Sequence, residues 1–384
     1  MHLYFHVPFC ARRCSYCDFA IAVRRAVPSE AYRDVVLAEW DARRDHPAWA
    51  GGSRVETIYF GGGTPSLLDP AALAAILSRV TADRQVAPDA EITLEANPDD
   101  VTPERAAAWR AAGVNRVSLG VQSFDPAVLG WMHRTHRAEQ VPVAVGVLRA
   151  AGFASLSLDL IFGLPAALGR DWTADLAAAA ALEPEHLSLY GLTVEEGTPL
   201  GRWTGRGEVT PVDDDRYAVE FLEADRTLAG GGFEHYEVSN YGRPGHRARH
   251  NSAYWRRAPY LGFGPSAHSG WDDRREWNVR EWSAYQRAVA AGRPLEGGER
   301  LDPEAVALER LYLGLRTNEG APADLVSPAA AGRWVEAGWA VREGDRIRLT
   351  GEGWLRLDAL VAAEAQSHER RPPAPELHGL RPRP

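Results

Sequence analysis

All three cysteines of the chain fall within eight residues, as Cys10-x3-Cys14-x2-Cys17. Three thiolates on one short loop can bind three irons of a [4Fe–4S] cubane and leave the fourth iron open to a small molecule. Two alternatives are cysteines with a purely structural role and a zinc site completed by His6.

The first alternative requires that chance placed every cysteine of a 384-residue chain in one loop. The second requires the loop to fold back on His6, which lies within a predicted strand. Three cysteines do not make a disulfide framework and fit a reducing compartment. The pattern therefore favours a cluster.

The elements that position this loop alternate between short apolar runs and segments of helical periodicity. Repeated βα units predict a parallel sheet with helices outside it. Six units predict an α/β fold, an incomplete (βα)6 TIM-like barrel with its chemistry at the carboxyl ends of the strands. The predicted strands are 3–7, 57–60, 91–95, 116–120, 155–160 and 186–190, and the predicted helices are 29–42, 70–81, 103–112, 139–151 and 171–182.

The alternation fades after residue 200, where Gly, Trp and Tyr become dense. We predict a partial barrel in 1–200, a barrel-completing region in 201–298, a small domain in 299–365 and a disordered Pro-rich tail in 366–384. Helices followed by a hairpin, with its turn at Glu343-Gly344-Asp345, predict that the small domain is winged-helix-like.

Composition limits the partners. The net charge is −9, and residues 300–364 carry 8 Arg against 11 Asp and Glu. Neither balance suggests a nucleic acid. No apolar run reaches the ~18 residues of a membrane span, and no secretory signal opens the chain. We expect a cytoplasmic protein, at a membrane only peripherally and through a partner.

The cysteine motif, with an aromatic residue before its last cysteine, resembles the radical SAM signature. The strings YFHVPFC (4–10) and YCDF (16–19) resemble the oxygen-independent coproporphyrinogen III oxidase family and, within it, the HemW-type haem chaperone branch. The resemblance runs to about residue 360. It implies a [4Fe–4S] cluster on Cys10, Cys14 and Cys17, with S-adenosylmethionine (SAM) on the open iron.

The resemblance also implies contacts to SAM. The glycine-rich turn at 61–65 matches the family's contact to the SAM amino group, and glycine lets backbone approach a ligand closely. A carboxylate at a strand end suits ribose hydroxyls, and a guanidinium suits the SAM carboxylate. The implied SAM-binding residues are Tyr4, Tyr16, Gly62, Gly63, Thr64, Glu95, Gln122, Arg134 and Asp159.

These residues also have structural interpretations. The glycines suit a tight βα turn, Glu95 suits a cap or the surface, and the two tyrosines suit a core. A charge such as Asp159 inside an apolar run is costly unless it is paired or bound to ligand.

Two departures from the oxidases bear on activity. Phe19 stands where they carry a fourth cysteine, and the chain starts at its first predicted strand, without their N-terminal extension. The string HNSAYW (250–255) resembles the haem-binding motif of the HemW-type branch. It implies His250 as an axial haem ligand, and a packed loop histidine is the alternative.

We therefore predict a radical SAM-type chaperone that binds haem as cargo and delivers it to an acceptor protein. The cluster would need an electron donor. The alternative is an enzyme that oxidatively decarboxylates coproporphyrinogen III to protoporphyrinogen IX.

Overall fold

The computed structural model describes residues 1–50 and 53–369, without the side chains of 367–369. The chain divides into two compact units, Met1–Pro303 and a second that begins at Glu304. The strands are β1 (His2–Val7), β2 (Phe9–Cys10), β3 (Ala22–Val23), β4 (Val55–Gly62), β5 (Val86–Ala96), β6 (Arg116–Gln122), β7 (Ser155–Phe162), β8 (His186–Gly191), β9 (Glu234–Glu237), β10 (Asn240–Gly242), β11 (Tyr260–Phe263), β12 (His268–Trp271), β13 (Arg274–Asn278), β14 (Leu295–Arg300), β15 (Ala321–Pro322), β16 (Ala340–Glu343) and β17 (Arg346–Leu349). The helices are α1 (Ser29–Ala42), α2 (Pro70–Asp83), α3 (Pro103–Ala111), α4 (Pro126–Trp131), α5 (Gln140–Ala150), α6 (Trp172–Ala181), α7 (Pro199–Gly205), α8 (Asp214–Gly230), α9 (Arg249–Trp255), α10 (Trp282–Ala290), α11 (Pro303–Leu315), α12 (Pro328–Glu336), α13 (Gly351–Trp354) and α14 (Leu357–Glu369).

The first unit is built on a 12-stranded sheet. Strands β1, β4, β5, β6, β7 and β8 lie side by side in that order, each parallel to the next. Helices α1, α2, α3, α5 and α6 connect them. The predicted α/β fold with six βα units is therefore confirmed. Predicted element ends agree within two residues, except that β5 begins at Val86, five residues early.

Local sequence explains where several helices begin. The Asp69 side chain accepts a hydrogen bond from the N–H of Ala71 at 2.8 Å, and proline occupies the first position of α2. Thr102 caps α3 in the same way, accepting from the N–H of Arg105 at 3.2 Å. A polar cap followed by proline satisfies a helix N-terminus at little entropic cost.

The sheet is open, because its two outermost strands, β14 and β9, do not pair with each other. Further strands extend it at both edges of the parallel core. Strand β11 adds parallel to β1, and β12, β13 and β14 follow antiparallel. At the other edge β10 and β9 add antiparallel to β8. Residues 201–298, predicted to complete a barrel, supply these edge strands and the long helix α8, and the sheet does not close into a barrel.

The second unit contains α11 to α14 and a three-stranded antiparallel sheet in the order β15-β17-β16. The β16–β17 hairpin lies where the turn signal predicted it. Its likeness to a winged helix stays a prediction. Helix α14 continues through Glu369, four residues into the segment predicted to be disordered, and the rest of that segment lies outside the described residues. No helix in the described ranges has the length and apolar character needed to span a membrane.

Candidate cluster and cofactor site

A cavity of about 490 Å3 opens at the carboxyl ends of the parallel strands. Its walls come from the ends of β4 to β8 and from the cysteine loop (residues 10–21), and its volume suits a small-molecule ligand. It brings together eleven residues predicted to bind the cluster or SAM: Cys10, Cys14, Tyr16, Cys17, Gly62, Gly63, Thr64, Glu95, Gln122, Arg134 and Asp159.

The cysteine loop is closed at its base by backbone hydrogen bonds. Strand β2 pairs with β3. The N–H of Ala22 donates to the carbonyl of Pro8 at 2.7 Å, and the N–H of Arg24 donates to the carbonyl of Cys10 at 2.9 Å. The three thiols are free, so the fold presents three cysteines on one anchored loop.

Two side chains donate hydrogen bonds to cysteine sulfurs. The Thr64 hydroxyl lies 3.5 Å from Cys10 Sγ, and Arg134 Nη1 lies 3.4 Å from Cys14 Sγ. Donors of this kind stabilise a thiolate and raise the potential of the cluster that it binds. The surroundings of the cysteines therefore fit cluster ligands.

Burial acts in the opposite direction on the thiols. It raises the pKa of Cys10 to about 11 and also raises the pKa of Cys17. The Thr64 hydroxyl and the Phe19 N–H, which donate to these two sulfurs, lower the respective pKa values. Metal binding removes the thiol proton, so these donors would support the thiolate form once iron is bound.

The zinc alternative loses its fourth ligand. His6 Nε2 donates to the carbonyl of Ala20 at 3.0 Å, and Nδ1 accepts from the Tyr4 hydroxyl at 3.2 Å. Both ring nitrogens are thus engaged within the fold. No three His, Cys, Asp or Glu side chains among the described residues are placed to hold one metal ion. In a cubane each thiolate binds a different iron, so its three cysteines need not converge on one point.

The glycine-rich turn packs tightly on β1 and the cysteine loop. Gly62 has φ +111°, and a Cβ there would lie 2.5 Å from the His6 ring. A Cβ on Gly63 would lie 2.7 Å from the carbonyl oxygen of Phe9. The N–H of Gly62 donates to Glu95, so a carbonyl oxygen is what this residue can offer to an ammonium group. Packing therefore requires glycine at both positions.

Glu95 is the penultimate residue of β5 and lines the cavity. Its Oε1 accepts from the Tyr59 hydroxyl at 2.7 Å, and its Oε2 accepts from the N–H of Gly62 at 3.0 Å. Burial raises the pKa of this carboxyl to about 7, with the Asp159 carboxylate adding to the shift. The pKa of Glu95 therefore lies well above that expected of a cap or surface carboxylate.

Asp159 faces the same cavity from β7. Ser118 Oγ donates to its two oxygens at 2.9 and 3.0 Å, and Ser157 Oγ donates to Oδ1 at 3.1 Å. Burial raises its pKa, and the serine hydrogen bonds oppose that shift. The charge in this apolar strand is thus partly satisfied by the protein itself.

Gln122 is the last residue of β6, and Arg134 follows helix α4. Gln122 has φ +68° beside a register shift in the β6–β7 ladder, a strained backbone that non-glycine residues adopt mainly at turns and functional sites. Arg134 Nη2 donates to Asn97 Oδ1 at 2.5 Å and to the carbonyl of Gly120 at 2.9 Å.

The Nε of Arg134 is buried and has no hydrogen-bond partner among the described residues. An N–H without an acceptor in a buried site is costly. The Arg134 side chain lines the cavity, so a carboxylate bound there would lie beside its guanidinium, which fits the predicted role.

The two predicted tyrosines differ in position. Tyr16 lies in the cavity wall. Tyr4 does not: its ring stacks on Tyr59 with centroids 6.0 Å apart, and its hydroxyl donates to His6. The structure places Tyr4 beneath the cavity, in the aromatic layer that supports Glu95 and the glycine turn.

His250 is not brought to the cavity. Its side chain is 1% exposed. Nδ1 lies 2.7 Å from Thr57 Oγ1, and Nε2 lies 2.8 Å from the Tyr254 hydroxyl. Its backbone N–H donates to Glu91, so it lies nearer the amino ends of the strands. Burial lowers its pKa to about 3, and the ring is a neutral, hydrogen-bonded core group in this structure.

The cavity residues that were not predicted include Asn97, Ser118 and Tyr190. Asn97 accepts from Arg134, Ser118 donates to Asp159, and Tyr190 closes the wall at the end of β8. Asn97 and Tyr190 could have been found by one signal, because each follows or ends a predicted parallel strand. Ser118 has no such mark in the sequence.

The fold and this site define a class of protein. Residues 4–173 match the model of the Radical SAM superfamily. The solved structure of coproporphyrinogen III oxidase from Escherichia coli, described as a radical SAM enzyme, superposes with a TM-score of 0.78 at 22% identity. The match covers 95% of this chain and 90% of that chain, and it shows a shared fold.

Closer relatives define the family. The heme chaperone HemW of Mycobacterium tuberculosis is 40% identical over 370 residues, covering 94% of this chain and 93% of that protein. HemW of Escherichia coli is 34% identical over 375 residues, covering 94% and 97%. The chain belongs to the HemW family of the radical SAM superfamily. Membership of that superfamily implies a [4Fe–4S] cluster and SAM.

Proposed function

We propose that this protein is a radical SAM-type haem chaperone, which binds haem and delivers it to acceptor proteins. The observation that carries the proposal is the convergence of eleven predicted residues on one cavity. The name of the relatives, heme chaperone, supports haem as the cargo.

In this proposal, different cavity residues hold the cluster and SAM. Cys10, Cys14 and Cys17 would hold the cluster. Arg134 would bind the SAM carboxylate, and Glu95 would accept from the ribose hydroxyls. When bound, the cluster and SAM supply one-electron reductive chemistry.

His250 remains our proposed haem ligand, although binding iron would break one of its side-chain hydrogen bonds. Iron ligation by Nδ1 requires the loss of the 2.7 Å hydrogen bond to Thr57, and ligation by Nε2 requires the loss of the 2.8 Å bond to Tyr254. Haem binding there would therefore rearrange the segment around α9. This makes the haem site the part of the proposal to test first.

The test is a haemin titration of anaerobically reconstituted protein, followed at the Soret band, for wild type, His250→Ala and Thr57→Val. Saturable binding that His250→Ala weakens supports this ligand. Thr57→Val should strengthen binding if iron takes Nδ1, because it removes the competing hydrogen-bond partner. Binding that ignores both substitutions would keep the chaperone and move its haem site. Absence of binding would reject the chaperone.

The alternative enzyme has its own assay. Phe19, which replaces the fourth cysteine of the oxidases, lines the cavity and supplies no thiol. Formation of protoporphyrinogen IX from coproporphyrinogen III, with SAM and a reductant, would establish the oxidase. Iron and acid-labile sulfide analysis distinguishes either function from a zinc-bound scaffold.

The other partners and the location are also proposals. We propose an electron donor for the cluster and a haem acceptor protein, with no role for nucleic acid. We propose that the protein acts in the cytoplasm and reaches a membrane only through its acceptor. Fractionation of cells with and without the acceptor would test the last point.

A further inference from the structure

Five arginines surround the outer face of the cysteine loop. Arg12 and Arg13 lie between the first two cysteines, Arg24 and Arg25 follow β3, and Arg280 reaches the loop from the segment between β13 and α10. The first four side chains are exposed. This concentration of positive charge stands out in a protein with a net charge of −9.

Hydrogen bonds place this basic patch next to the cysteines. The N–H of Arg24 donates to the Cys10 carbonyl at 2.9 Å, and Arg13 Nη1 lies 3.4 Å from the Cys17 carbonyl. Arg280 Nη2 donates to the carbonyl of Asp18 at 3.2 Å. The positive charges are therefore held at the part of the surface closest to the cluster ligands.

The patch is not neutralised by the protein. Arg12, Arg13, Arg24 and Arg25 form no ion pair with any residue in the described part of the chain, whereas arginines elsewhere, such as Arg79, are paired. Three acids, Asp18, Glu195 and Glu281, line a second cavity beside the loop together with Arg13 and Arg280. Of these, the Glu281 carboxylate is engaged in capping α10. Uncompensated like charges repel one another and gain nothing in the free protein.

Apolar side chains lie within the same patch. Phe19 is 60% exposed and Val23 is 44% exposed, both large apolar residues on or beside the cysteine loop. A small apolar centre inside a charged rim is the anatomy of a transient protein interface. Charges on such a rim mainly raise the association rate of a partner of opposite sign.

We propose that this patch is the docking surface for a small acidic one-electron carrier protein. The carrier passes one electron to the oxidised cluster, [4Fe–4S]2+ becomes [4Fe–4S]1+, and the carrier is oxidised by one electron. No bond or proton is exchanged. The proposal rests on the cluster of the proposed function and adds the surface through which that cluster is reduced.

The test uses flavodoxin hydroquinone as the carrier and follows bleaching of the cluster by stopped flow at several salt concentrations. The variants are Arg24→Glu with Arg25→Glu, and the neutral pair Arg24→Gln with Arg25→Gln. The matched control changes the net charge equally at two exposed arginines elsewhere, Arg226→Glu with Arg293→Glu. Photoreduced 5-deazariboflavin, a small reductant without an acidic surface, is the second electron source.

We expect the glutamate pair to slow reduction by flavodoxin about tenfold at low salt and to abolish its salt dependence. The glutamine pair should be intermediate, and the control should match wild type. All four proteins should be reduced equally by deazaflavin. A wild-type rate in the glutamate pair, or equal slowing in the control, would overturn the proposal.

Failure of the proposed function is recognised separately. If the wild type holds no iron and sulfide after reconstitution, the cluster assignment fails. The affinity of flavodoxin for the protein without a cluster, measured with the same variants, then decides on the surface alone. Equal affinity of wild type and the glutamate pair would reject the surface.

Discussion

We predict that Glu95, whose pKa is raised to about 7, makes ligand binding depend on pH. Its carboxyl has a pKa of about 7 and already accepts from Tyr59 and Gly62. In the ionised carboxylate both oxygens act only as hydrogen-bond acceptors, which suits the two hydroxyl donors of a ribose. Binding of a ribose should therefore favour loss of the proton, and affinity should rise as the pH rises through 7.

The size of the effect follows from the pKa. With a pKa of about 7, about a tenth of the protein carries an ionised Glu95 at pH 6 and about half does at pH 7. If the ionised form alone binds, affinity rises about fivefold over that interval. The same raised pKa also affects stability, in the opposite direction. In protein without ligand, the free energy of unfolding falls as the pH rises from about 4.5 towards 7, because the native state holds the proton more tightly than the unfolded chain.

The assay uses 5′-methylthioadenosine, which has the ribose and adenine of SAM and lacks its titrating amino group. Calorimetry at pH 6 and 7 gives the affinity ratio for wild type and for Glu95→Gln, whose amide cannot titrate. We expect about fivefold for wild type and a ratio near one for the variant. Equal affinities at both pH values in the wild type would refute the reasoning.

Three further substitutions test other parts of the site. Cys14→Ala should remove the cluster, and a full [4Fe–4S] absorption spectrum in this variant would contradict the ligand assignment. Arg134→Ala should weaken SAM binding about tenfold by isothermal titration while sparing iron content, and it should lower the midpoint potential because Nη1 no longer donates to Cys14 Sγ; unchanged affinity would reject the role. Gly62→Ala should destabilise the fold by about 1–3 kcal/mol, because the residue has φ +111° and its Cβ would meet the His6 ring at 2.5 Å; an unchanged urea midpoint would show that the turn relaxes.

The parallel core of the fold was predictable because its signals are local. Each strand is a short apolar run, and helices such as α2 begin at a cap and a proline that the sequence displays. The edge strands were not predicted. Strand β14 is exposed along most of its length and contains Gly297 and Gly298, residues of low β-propensity. It is a strand because β13 pairs with it, and the sequence carries no local sign of that partner.

The site divides in the same way. The cysteines and the strand-end residues were found because motif and topology point to one edge of the sheet. The positions of the other residues depend on contacts between distant parts of the chain. The motif at 250–255 predicts a haem ligand from its sequence alone. In the structure His250 lies near the amino ends of the strands, away from the cavity, and both of its ring nitrogens are hydrogen-bonded. Ser118 is the reverse case, a residue with no motif that the fold places against Asp159.

An open sheet exposes two rows of backbone groups that a closed barrel would pair, and such rows can recruit strands from other molecules. Both terminal strands carry features that discourage this. Strand β14 bears Glu296, Glu299 and two glycines, and β9 is four residues long with an exposed Glu234 at its start. Charge, brevity and low β-propensity protect edges against aggregation. We therefore expect neither edge of the sheet to recruit strands from other molecules.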